Sequence, residues 1–239
     1  NISSTGAKPI DFNNKISKLI ANVIYTFIYD GTNYVLLDEN HRVDGLGGEY
    51  AEVFNDPENI ASGEYAHAEG SGTTASGDVS HAEGADTIAS GYAAHAEGEN
   101  TKANGEASHA EGSGAEANGD YSHAEGQRTI AQGNFSHAEG MRVEANGNYS
   151  HAEGSGTIAN GIGSHAQNFG TIADGLYQTA LGQYNIGDTT SALIIGNGTS
   201  TTRSNAYKID FSGNSVQAGR LTAVGATLSD NLLMSNTET

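Results

Sequence analysis

Eight histidines give the chain its first chemical signal. His67, His81, His95, His109, His123, His137, His151 and His165 follow one another at a fixed step of 14 residues, and only His41 lies outside the series. Seven of them are followed two residues later by a glutamate: Glu69, Glu83, Glu97, Glu111, Glu125, Glu139 and Glu153. Imidazole and carboxylate groups at this spacing can ligate a transition metal or form hydrogen-bonded pairs. A functional metal site needs one copy, whereas a seam between chains needs every layer filled. The repetition therefore predicts a trimer-interface ladder, in which each imidazole bonds a glutamate of a neighbouring chain. No metal, cofactor or catalytic residue is expected. Ser80-His81-Ala82-Glu83 has the residue types of a hydrolase. Neighbours on a strand point to opposite faces, however, so the base cannot reach the hydroxyl.

Other columns keep the same step. Two residues before the histidine position stand Tyr65, Tyr121, Phe135, Tyr149 and Tyr177, with smaller residues at the intervening copies. These aromatics are candidate ligand contacts, because their rings can stack on sugars. The competing use is packing at the subunit seam, since the position shares the parity of the His/Glu face. A threonine column (Thr73, Thr87, Thr101, Thr129, Thr157, Thr171) is interrupted by Ala115 and Val143. Its parity places it inside, which argues against an ice-binding array. Gly77-Asp78 and Gly119-Asp120 hint at calcium, but the nonapeptide signature of calcium-binding rolls is missing.

The elements that position these residues follow from the repeat, which reads A-x-G-x-x-S-H-A-E-G-x-x-T-x. Fourteen residues are too few for a helical hairpin. They suit two short strands and two tight turns, one coil of a β-solenoid. In Ser80-His81-Ala82-Glu83-Gly84, Ser80, Ala82 and Gly84 face one way and His81 and Glu83 the other. In Thr87-Ile88-Ala89-Ser90-Gly91, the small set is Thr87, Ala89 and Gly91. Two faces of Ser, Thr, Ala and Gly can approach closely, and glycine makes a positive φ inexpensive at the turns. Such a core buries little apolar area, so the isolated roll should be marginal and self-association is expected. If interchain His–Glu pairs are charged, the histidine pKa rises and stability peaks at mildly acidic pH.

Composition narrows the function classes. The 239 residues include 33 glycines and 2 prolines, with no cysteine, so disulfides and zinc–thiolate sites are excluded. Ten Lys+Arg against 29 Asp+Glu give a net charge of −19, which argues against nucleic acid and anionic membrane surfaces. No apolar run is long enough for a membrane span, so no membrane insertion is expected. No charged-then-apolar leader follows Asn1, and the sequence reads as a piece of a longer or processed chain.

Over residues 59–182 the repeat resembles the head repeats of YadA-type trimeric autotransporter adhesins. That resemblance implies an all-β fold, a left-handed parallel β-roll (β-solenoid), with three rolls around a threefold axis. The family pattern is usually Ser-Val-Ala-Ile-Gly, and His and Glu here take the Val and Ile places, implying a polar trimer seam. Decay of the motif to His165-Ala166-Gln167-Asn168 and Thr179-Ala180-Leu181-Gly182 suits terminal repeats.

The flanks divide the chain into a small β module at 1–50, the roll at 51–182, a hairpin module at 183–219 and a linker or tail at 220–239. Val23-Ile24-Tyr25-Thr26-Phe27-Ile28-Tyr29, then Asp30-Gly31-Thr32-Asn33 and Tyr34-Val35-Leu36-Leu37, reads as a hairpin, and Ile10-Asp11-Phe12 as a further strand. Ser4–Ile10 with Tyr25–Tyr34 resembles β-modules in tail proteins of phages and prophages of Gram-positive bacteria. The alternating segment 192–219 is similar to segments that follow such rolls in phage tail fibres, where some relatives continue into a self-cleaving chaperone domain. Together these imply a homotrimeric tail-fibre (receptor-binding) segment on an extracellular virion tail. It would attach to a host cell-surface receptor, expected to be a glycan, and would have no enzymatic activity. The alternatives are the head of a trimeric adhesin on a bacterial surface, and a glycan-degrading tailspike enzyme.

Overall fold

The computed structural model describes residues 58–219, together with the strands Phe27–Tyr29, Tyr34–Leu36 and Glu52–Phe54. Phe27–Tyr29 pairs antiparallel with Tyr34–Leu36, as the hairpin reading expects. The strand expected at Ile10–Phe12, the connection at 38–50 and the tail at 220–239 fall outside the described residues.

The chain is an all-β solenoid of parallel coils of about 14 residues, with about ten turns and no helix among the described residues. Each coil of the repeat contributes one long and one short strand, such as His81–Ala85 and Ile88–Ala89. The short strands form a nine-stranded sheet and the long ones belong to a thirteen-stranded sheet. Register is identity upon identity. His81 lies beside His95, Ala82 beside Ala96 and Glu83 beside Glu97. A 14-residue repeat that places like residues side by side also aligns their backbone donors and acceptors.

The core is as small as the sequence requires. Ala82, Ala89, Ala96 and Ala103 have no exposed surface, and the same columns repeat along the roll. Thr73, Thr87, Thr101, Thr129, Thr157 and Thr171 are fully buried, as are their substitutes Ala115 and Val143. The threonine column is therefore an interior column. Ser108 and Ser122 are also interior, and their hydroxyls donate to the carbonyls of Gly105 and Gly119.

Two corrections concern the turns. The glycine column containing Gly119 is not held by a positive φ. A Cβ at Gly119 would lie 2.1 Å from the Gly133 carbonyl oxygen of the next coil, so close backbone approach is what demands glycine there. Glycines such as Gly84 and Gly98 do hold a positive φ, of 114° and 113°, but many left-handed turn positions are taken by other residues, including Tyr65, Val79, Tyr121, Phe135, Tyr149 and Tyr177 with φ between 53° and 60°. These aromatics therefore sit on turns, and strand parity does not govern where they point.

Beyond the repeat the same sheet continues. Ser191–Asn197 lies parallel to Thr179–Gln183, and Asn205–Asp210 and Ser215–Gln217 then add antiparallel strands. The ends of the threonine column are closed by asparagine. Asn59 Oδ1 accepts from the Thr73 amide, and its Nδ2 donates to the Gly70 carbonyl. At the other end Asn185 takes both the amide and the carbonyl of Ile172. The Asn185 side-chain amide thus supplies hydrogen bonds that a further coil's backbone would have made.

Candidate functional site

Alternation along the long strands puts the interface candidates on one outer face. Ala82 is buried while His81 and Glu83 keep 39% and 50% of their side-chain surface. Successive imidazoles stack at the inter-strand spacing, with centroids 4.8 Å apart for His81–His95 and 4.9 Å for His95–His109 and His109–His123. The column continues through His137 and His151 to His165, and His67 meets His81 edge-on. Glu69, Glu83, Glu97, Glu111, Glu125, Glu139 and Glu153 run beside it in register.

Within one chain, five of the imidazoles face the glutamate two residues on. His67 Nε2 lies 3.5 Å from Glu69 Oε2, and His81–Glu83, His95–Glu97, His137–Glu139 and His151–Glu153 stand at 3.9 Å. A separation of 3.9 Å is beyond a hydrogen bond. The Nε2 atoms of His81, His95, His109, His123, His137, His151 and His165 are shielded from solvent and make no hydrogen bond within the described chain.

Within a single chain the surroundings of these rings lower their titration. Burial, followed by neighbouring imidazoles, holds His81, His95, His123, His137 and His165 below the usual histidine pKa, against the upward pull of the glutamates. Above pH 6.5, the ordinary value, folded and unfolded chains both carry mostly neutral rings and little stability is lost. As pH falls through that value the unfolded chain takes protons first, so stability declines until the folded rings protonate too. Thermal melts in EDTA-containing buffer should therefore be flat from pH 8 to 7 and fall steadily from 6.5 towards 5. These downward shifts put the stability maximum near neutrality, whereas charged pairs between chains would put it at mildly acidic pH. A melting temperature that rises on acidification over that range would refute the neutral column.

The aromatic candidates are exposed but unequal. Tyr121 stacks on Phe135 and Phe135 on Tyr149, with centroids 5.0 and 5.2 Å apart and nearly parallel planes. The faces that would meet a sugar are thus turned largely on one another. Tyr65 and Tyr177 stand outside this stack, 54% and 70% exposed. Asp78 and Asp120 instead serve the turns, where each Oδ1 accepts a backbone amide one coil earlier, from Glu64 and Glu106. Ser80 is interior and His81 exterior, which separates the hydrolase-like pair as strand alternation requires.

One polar column escaped the sequence reading. Ser90 Oγ donates to Asn104, Asn104 Nδ2 to Asn118 and Asn118 Nδ2 to Gln132, with Asn146, Asn160 and Asp174 repeating the pattern. Its signal was the run of short polar residues before the close-approach glycines.

The chain matches no family model and no curated protein.

Proposed function

We propose that this chain is a homotrimeric shaft segment of a phage-type tail fibre, which carries or forms a host-binding tip and performs no catalysis. The observation that supports it is the His/Glu face. It is a flat polar column running the length of a roll whose core is alanine, and its shielded ring nitrogens are left without partners in the single chain. Two further copies around a threefold axis would cover that face. The strands at Ser191–Asn197, Asn205–Asp210 and Ser215–Gln217 favour the tail-fibre reading over the adhesin head, which should lead into a heptad coiled coil.

Light scattering on untagged protein tests the assembly. The expected mass is three times the 24.6 kDa of one chain, and a stable folded monomer at micromolar concentration would overturn it. Fluorescently labelled trimer should also decorate Gram-positive cells and lose that binding when surface glycans are stripped. Failure to bind any member of a broad bacterial panel would remove the attachment role.

A further inference from the structure

Seven of the eight periodic histidines keep a shielded Nε2 with no hydrogen-bond partner among the described residues. His81 and His95 lie side by side on adjacent strands, and Glu83 stands two residues beyond His81 on the same face. Their ligand atoms, one from each side chain, all lie within 4.8 Å of one another. The Nε2 atoms of His81 and His95 have no hydrogen-bond partner among the described residues. The side chains are 39%, 37% and 50% exposed for His81, His95 and Glu83, so each retains freedom to rotate. Zinc–nitrogen bonds of about 2.0–2.1 Å at a near-tetrahedral angle would bring the two ring nitrogens to roughly 3.4 Å. The rings now stack 4.8 Å apart and 5° from parallel, so they would have to tilt towards one another to aim both nitrogens at the ion.

We infer that His81, Glu83 and His95 form a three-ligand site for one borderline divalent transition ion of the zinc, nickel or copper class, with a further position open to water. Two imidazoles select this class over magnesium and calcium, which prefer all-oxygen shells. The ion would also relieve a local electrostatic cost. Glu83 lies in register between Glu69 and Glu97, and like charges directly opposite one another across strands are destabilising. All three ligands come from one chain, so the site does not depend on trimer formation, although it lies on the face assigned to the seam.

Untagged protein stripped with EDTA would be titrated calorimetrically with zinc chloride. Because a closed seam would slow entry, a second sample would be refolded in zinc, passed through gel filtration and analysed for metal. About one zinc per chain is expected, and magnesium chloride should give no saturable heat. The double variant His81→Gln/His95→Gln should bind zinc at least about tenfold more weakly, a loss of roughly 1.4 kcal/mol. Its circular dichroism should match the parent, since both side chains point outward from the alanine core and make no hydrogen bond through Nε2. Glu83→Gln should weaken binding in the same direction. No saturable zinc in either sample, or zinc binding unchanged in the double variant, would overturn the site. Light scattering on the same samples keeps the two proposals apart, because a trimer without zinc refutes the site alone and a zinc-binding monomer refutes the assembly alone.

Discussion

Replacing Gly119 by alanine should destabilise the roll by about 3 kcal/mol or more, although it adds a single methyl group. The new Cβ would lie 2.1 Å from the Gly133 oxygen, 2.4 Å from its carbonyl carbon and 2.8 Å from the Asn134 nitrogen. All three are backbone atoms. The obstructing carbonyl is held in place, because it accepts the Ser136 amide at 3.2 Å while the Gly133 amide donates to Ala145 at 3.2 Å. Relief requires the coils to separate, which breaks the parallel ladder on both sides of the substitution. A matched control isolates the cause. Gly114 has a φ of +68°, and the only atom near a Cβ there is Arg128 Cγ at 3.6 Å. Asn100 and Arg128 occupy equivalent turns with φ of 56° and 55°. Gly114→Asn should therefore change stability by no more than about 0.5 kcal/mol. Denaturant melts of both variants provide the comparison, and equal effects would show that the Gly119 column is not set by close approach.

The contrast between these two glycines marks how far the sequence could be read. Strand alternation at Ser80-His81-Ala82-Glu83 is a period-two signal, visible in any one copy, and it correctly separated interior from exterior. The 14-residue step then supplied the register, because like residues must fall side by side when identical coils stack. Neither signal contains the distance between stacked backbones, so the reason for glycine at Gly119 was invisible while its periodicity was plain. The turn aromatics failed for a related reason. Parity was carried from the His81–Ala85 type of strand across a left-handed residue, where alternation no longer holds. The titration was not legible in the same way, because the separation between a glutamate and an imidazole decides whether attraction or desolvation wins, and spacing along the chain does not give that separation. The two ends carried a legible signal that periodicity hid. Asn59 and Asn185 stand one step before and one step after the threonine column, and Gln178 replaces the serine found at Ser80, Ser108, Ser122, Ser136, Ser150 and Ser164. Departures from a repeat at its ends are where an unpaired edge has to be closed.

Gln178 is the most consequential of those departures. It is fully buried, an uncommon position for a primary amide unless every polar atom is satisfied. Its Oε1 accepts the amides of Asp174 and Gly175 at 2.9 and 3.2 Å, and its Nε2 donates to the carbonyls of Asp188 and Ser191 at 2.9 and 2.7 Å. One side chain thereby ties the last coil of the repeat to the segment that begins the C-terminal strands. In Gln178→Ala, two backbone amides and two carbonyls lose their partner inside a cavity, and each such group costs on the order of 1–3 kcal/mol if water cannot reach it. Partial hydration at the end of the roll should limit the total to about 3–5 kcal/mol. Serine, the residue of the internal copies, is too short to span both pairs and should not restore stability. The expected signature is local before it is global. Hydrogen exchange should accelerate first at Asp174, Gly175 and the Ser191–Asn197 strand, while amides in the central coils around Ala110 and Ala124 stay protected. A Gln178→Ala protein within 1 kcal/mol of the parent, or one whose central coils exchange as early as its end, would show that the roll is not closed at this point.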